Sequence, residues 1–170
     1  AYSFFVTYAN IDGYKGDPEK IPSSDNPLDR WILACLHQCE EEVHQAFSTY
    51  HLNKTLNPVL GFLESVTNWY IRQSRERFWS QGFGPDKKAA YETLYFVIMS
   101  LTKLLAPSAP FIADALFKNL TDLESVHLTN WPKMPDHFSN EELIQQIELA
   151  RSVANLGLSL RQKVKVKVRQ

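Results

Sequence analysis

The stretch LNPVLGFLESVTNWYIRQSRERFW, residues 56–79, decides the fold. Placed at about 100° per residue with Leu60 as zero, Leu56, Leu60, Leu63, Thr67, Ile71, Ser74 and Phe78 gather in one narrow sector. Val59, Phe62, Val66 and Trp69 form a second, adjoining apolar sector. A helix apolar on two adjoining sides has neighbours on both, so this stretch predicts a bundle helix from about Asn53 to Ser80. One sector stays polar, and within it Asn68, Arg72, Arg75 and Trp79 follow one another at i, i+4, i+7 and i+11. An amide, two guanidinium groups and an indole on one face are the groups that grip phosphates, read base edges and stack on unpaired bases. The same spacing suits a solvated face on which Arg72 and Glu76 form an i, i+4 surface pair. Spacing alone leaves both readings open.

Outward from this helix the chain reads as further helices. On the N-terminal side Asn26 is placed to cap, Pro27 suits the first helical position and Asp29 complements the dipole of a helix ending near Tyr50. On the C-terminal side Gly82 and Gly84 stop the helix, and Pro85 with Asp86 opens a strongly apolar one, fit for the middle of a bundle. Pro107 and Pro110 break it and start a shorter helix to about Leu120. Ser139 and Glu142 read as a capping box opening a last helix with the stripe Leu143, Ile144, Ile147, Ala150, Val153, Ala154 and Leu158. The expected class is all-α, an antiparallel bundle of about five helices over 25–162. It has an irregular connector at 1–24, where Gly13, Gly16, Pro18 and Pro22 break any helical period. From Lys163, basic residues alternate with Val164, Val166 and Val168, a period of two that predicts a strand stub over 163–170. The aromatics Tyr2, Phe4, Phe5, Tyr8 and Tyr14 of the connector are too many for a solvated tail and read as a surface for a neighbouring domain.

Composition excludes several classes. The 170 residues are 44% hydrophobic, 22% charged and 12% aromatic, an ordinary globular balance with one core. No apolar run reaches the roughly 18 residues needed to span a bilayer and no signal peptide opens the sequence, so a cytoplasmic setting is expected. Cys35 and Cys39, four apart in a helical pattern, have no further metal-spaced ligand and read as small apolar packers. His37, His44 and His51 would line one flank of the first helix. A phosphate loop, a metal cluster and a nucleophile motif are all missing, so no catalytic residue is assigned. The net charge of −1 hides an asymmetry. Residues 54–88 hold six basic residues against three acids, and 151–170 hold six and none, whereas 112–150 hold two lysines against seven acids. A polyanion would meet the first two regions.

Asn68–Trp79, NWYIRQSRERFW, resembles the signature helix of the anticodon-binding domain of isoleucyl-tRNA synthetases. Other pieces agree in order: SFFVTYANIDG at 3–13, NPLDRWIL at 26–33, LAPSAPF at 105–111, VHLTNWP at 126–132 and LRQKVKVKVRQ at 160–170. The LAPxxPF element is common to class I synthetases of the isoleucyl, valyl and leucyl types, while NWYIRxSRxRFW points to the isoleucyl branch. Gln73 stands where the family commonly has arginine. The resemblance implies an anticodon-binding domain, with 1–24 leading from a catalytic domain and 163–170 leading into a C-terminal region. The HIGH and KMSKS signatures of the parent enzyme, which uses ATP, are absent from this stretch, so no cofactor is expected here. The implied partners are the tRNA-Ile anticodon stem-loop and the parent's other domains in cis, with no membrane. The implied contacts are Asn68 on a base edge, Arg72 and Arg75 on phosphates or bases and Trp79 in stacking. Arg30, Lys163, Lys165 and Lys167 are secondary candidates, and Arg77 is placed either to join them or to pin a neighbouring helix through a buried carboxylate. The rivals are a valyl- or leucyl-type domain and a helical bundle that docks a protein.

Overall fold

A computed structural model describes residues 1–164, and every regular element among them is helical. The chain divides into two compact units, 1–139 and 140–170, where the sequence suggested one body over 25–162. The first unit holds α1 (Tyr2–Asp12), α2 (Pro27–Ser48), α3 (Leu56–Glu64), a π-helical turn (Ser65–Tyr70), α4 (Ile71–Trp79), α5 (Pro85–Leu105) and α6 (Pro110–Leu120). The second holds α7 (Glu141–Lys163).

The first unit is built around α5. Its apolar residues run all round the helix, and it packs against α1, α2, α3, α4 and α6. Boundaries follow local chemistry. Asn26 Oδ1 accepts the Leu28 N–H at 2.9 Å, and Pro27 occupies the first turn of α2. Cys39 is buried in α2, and burial pushes its thiol up to about 12, which suits a packing residue and not a nucleophile.

Four sequence expectations need correction. The irregular connector contains a full helix, α1, capped at its C-terminus by Gly13 at φ 66°. Its aromatics are not left for another domain. Phe5 is buried, Phe4 meets Phe78 edge-on with ring centroids 5.1 Å apart, and Tyr14 stacks on Tyr91 at 4.9 Å. That removes the observation on which the protein-docking rival rested. The α1 carboxylate Asp12 completes the seam, meeting the buried Lys87 Nζ at 2.7 Å and accepting from Tyr91 Oη. Burial opposes the charge on Asp12, but hydrogen bonds from Lys87 and Tyr91 hold its carboxyl below the usual carboxylate range. A third pin lies just beyond α1, where Gly16 presses on the face of Tyr95 so closely that a Cβ there would overlap the ring.

The cap of α7 is Asn140, whose side chain accepts the Leu143 N–H at 3.0 Å, and not Ser139, which lies outside the helix at ψ 119°. Lys163 closes α7 as a helical residue and Val164 follows in a turn, so the strand does not begin at 163. The rest of that expected stub, including Lys165 and Lys167, lies outside the described residues.

Candidate nucleic-acid interface

Residues 56–79 form one continuous helical rod, with a π turn in its middle. The Ile71 N–H bonds the Val66 carbonyl, five residues back in place of four. Thr67 sits in this turn with its hydroxyl donating to the Leu63 carbonyl at 2.8 Å, a back-bond that loosens the local ladder. One extra residue in a turn rotates everything after it by about 100° relative to a uniform helix. The buried set is therefore Val59, Phe62, Val66, Tyr70, Ile71, Ser74 and Phe78. The sequence reading placed Leu56, Leu60 and Thr67 in the core, but Leu56 and Leu60 are 41% and 61% exposed and Thr67 is exposed. A single angular frame puts Val59 and Ile71 on different faces. The π turn brings them to the same one.

The polar row survives this rotation as an exposed row. Asn68, Arg72, Arg75 and Trp79 are all exposed, with Asn68 in the π turn and the other three in α4. The Arg72–Glu76 surface pair does not form, and among the described residues neither Arg72 nor Arg75 has an acidic partner. Two guanidinium groups about one turn apart thus face solvent without a counter-charge. Trp79 is 55% exposed, but its indole N–H donates to Tyr8 Oη of α1 at 2.6 Å. That bond fixes the ring and leaves stacking as its available chemistry. Sequence reasoning missed Tyr8, because nothing in a stretch broken by glycine and proline shows which helix it will lie against.

Arg77 is different in kind. Its Nη1 and Nη2 donate to Asp29 Oδ1 and Oδ2 at 2.7 and 2.8 Å, and its Nε donates to Asp86 Oδ2 at 2.9 Å. Asp29 is fully buried and also accepts from Tyr70 Oη and Ser24 Oγ, each at 2.7 Å. Burial works against the Arg77 charge, yet the hydrogen bonds to Asp29 and Asp86 raise its pKa above the ordinary arginine range. Burial, with Asp29 alongside, raises Tyr70 well above its usual value, so it stays a neutral donor. Of the two roles open to Arg77, the geometry is that of a pin between the end of α4 and the start of α2. Its donors are engaged, so it is withdrawn as an RNA contact.

Arg30 is exposed on α2, one residue beyond Asp29 and so near the Arg77 end of α4. Lys163 belongs to the second unit, and Lys165 and Lys167 lie outside the described residues. No cluster of three or more metal-ligating side chains occurs among the described residues. Among the described residues no helix is long and apolar enough to cross a membrane.

Residues 29–170 match the family described as the anticodon-binding domain of tRNA ligase. Across 174 residues the chain is 40% identical to an isoleucine–tRNA ligase of Protochlamydia amoebophila, covering 100% of this chain and 17% of that protein. It is 39% identical to one of Bacteroides fragilis over 177 residues, covering 99% of this chain and 16% of that one. It is 40% identical to one of Porphyromonas gingivalis over 172 residues, covering 99% and 15% respectively. The chain thus spans less than a fifth of the length of these relatives.

Proposed function

The chain belongs to the family of anticodon-binding domains of tRNA ligases, and from that premise we propose that it holds the anticodon stem and loop of tRNA-Ile for a parent isoleucine–tRNA ligase. In that role the bundle carries out no bond-making step. Isoleucine activation with ATP and transfer to the tRNA acceptor end belong to other parts of such an enzyme, and the bundle's binding energy positions the tRNA for them. The isoleucyl assignment rests on identity to isoleucine–tRNA ligases and on the NWYIRQSRERFW helix, which also separate it from the valyl and leucyl alternatives.

The observation that carries the reading is the pair Arg72 and Arg75, exposed, with no acidic partner among the described residues and set on a helix that Arg77 and Asp29 pin in place. Guanidinium groups on a rigid scaffold lose little freedom on gripping a phosphate or a base edge. Trp79 adds a fixed aromatic face beside them and Asn68 an amide. A single-stranded loop with splayed bases is the ligand this set suits, since duplex RNA hides its major-groove base edges in a deep, narrow cleft and keeps its bases stacked. The test is titration of the chain with an RNA hairpin carrying the tRNA-Ile anticodon stem and loop at several salt concentrations. Binding that weakens as salt rises, and that is lost on joint Arg72→Ala and Arg75→Ala replacement, supports the proposal. Equal affinity for the hairpin before and after replacement contradicts it.

A further inference from the structure

The α2 helix ends in a Schellman turn, with the His51 N–H bonded to the Ala46 carbonyl at 2.8 Å and the Tyr50 N–H to Phe47 at 3.0 Å. The residue just past the cap in this turn takes the left-handed conformation and is usually glycine. Here it is Tyr50 at φ 57°, the only non-glycine at positive φ among the described residues. Its ring gains nothing from the fold in return, being 89% exposed. Residues held in such strained conformations cluster where a chain meets its ligands.

The surroundings indicate which ligand suits it. Thr49 and His51, on either side of Tyr50 in the chain, line an open cavity of about 700 Å³ together with Glu42, Gln45, Lys54 and Asn57. Glu42 gives the rim one carboxylate and the Thr49 hydroxyl is spent on the Gln45 carbonyl, while Gln45 and Asn57 supply amides, His51 an imidazole and Lys54 an ammonium with no acidic partner among the described residues. An exposed aromatic beside a free cation and amides is the combination that stacks an unpaired base and holds its phosphate.

We propose that the elbow between α2 and α3 is a second RNA contact, with Tyr50 stacking on an unpaired nucleotide and Lys54 on its phosphate. The inference rests on the reading that the bundle binds an anticodon stem-loop, but it concerns a different place. Arg77 meets Asp29, so the rod from Leu56 to Trp79 runs antiparallel to α2, and the elbow sits at the opposite end of the rod from Trp79. Thr55 and Arg72 are 17 residues apart, about 25 Å along a helix axis. One RNA touching both would be held at two separated points.

The experiment compares wild-type chain with Tyr50→Gly, Tyr50→Phe and Lys54→Ala, using the same tRNA-Ile hairpin with 2-aminopurine placed in turn at each loop position. Tyr50→Gly is expected to leave the thermal midpoint unchanged or raise it by up to about 4 °C, because it relieves the left-handed strain. It is also expected to weaken hairpin binding about fivefold or more and to abolish the quenching at one loop position. Tyr50→Phe should retain both, and Lys54→Ala should lower the slope of log affinity against log salt by about one. If wild type binds the hairpin and Tyr50→Gly binds it equally well, the elbow is not an RNA site and the arginine row stands alone. If wild type does not bind, the underlying reading falls and takes this inference with it.

Discussion

Arg75 and Arg77 stand two residues apart in α4 and have opposite surroundings: Arg75 is exposed with no acidic partner among the described residues, and Arg77 is held by Asp29 and Asp86. Substitutions should separate them cleanly. Arg75→Ala removes a solvated side chain and should change stability by no more than about 0.5 kcal/mol, while lowering the salt slope of hairpin binding by about one. Arg77→Ala leaves Asp29 buried without its partner and should cost about 3–5 kcal/mol in urea unfolding. Arg77→Lys should recover only part of that, since an ammonium cannot serve both oxygens of Asp29 and reach Asp86 as well. Equal stability of Arg77→Ala and wild type would show that the pin is dispensable. Gly16→Ala belongs to the same scale. Its new Cβ would overlap the buried Tyr95 ring, and moving that ring would disturb its contact with Phe5 and its hydrogen bond to the Leu120 carbonyl, so the thermal midpoint should fall.

At the scale of the element, the π turn decides how residues 56–79 meet the core, and it makes a deletion prediction. Removing exposed Thr67 should convert the rod to a regular helix with Val59, Phe62 and Val66 still in line with Ile71, Ser74 and Phe78, and stability should change little. Removing Gln73 from regular α4 should turn Ser74 and Phe78 off the core and destabilise the chain strongly. Thermal melts of the two deletions check this, and the reverse order would contradict the assignment of the extra residue to the π turn. The same turn marks where the sequence stops being legible. The caps and prolines around Asn26, Pro85 and Pro110 act within a few residues, so the ends of α2, α5 and α6 could be read directly. Leu60 and Val59 could not be told apart as surface and core, because the inserted residue lies downstream of both and leaves no compositional trace. Asn68, Arg72, Arg75 and Trp79 were legible as a polar row since polar residues mark exposure in either register. Arg77 was readable only as a choice, because its partners Asp29 and Asp86 come from two other elements. Tyr8 and Tyr50 were not legible as site residues: one acquires its role from the packing of α1, the other from a positive φ.

For the whole first unit, hydrogen-bonded carboxylates tie helices to their neighbours, and this sets its response to acid. Hydrogen bonds from Lys87 and Tyr91 hold Asp12 low despite burial, and the hydrogen bond from Arg77 lowers Asp86. Asp114 is lowered to about 2 by hydrogen bonds from Lys118 and Ser125. A carboxyl whose folded pKa is depressed binds its proton more readily in the unfolded chain. Its stabilising contribution is therefore complete above the unfolded value of about 3.9 and is lost as pH falls through the folded one. Urea midpoints should be level with respect to these groups between pH 5 and 7 and decline from about pH 4 towards about pH 2. Stability that held constant down to about pH 2 would show that these links do not operate.

If the exposed arginine row on its pinned helix meets the anticodon loop, neutralising it must cost binding and leave the fold intact. The chain and its Arg72→Ala, Arg75→Ala double variant are titrated at low salt with the tRNA-Ile anticodon hairpin, alongside thermal melts of both proteins. The two should melt alike and only the wild type should bind, with an affinity that falls as salt rises. Hairpin binding by the double variant as tight as by wild type would contradict it.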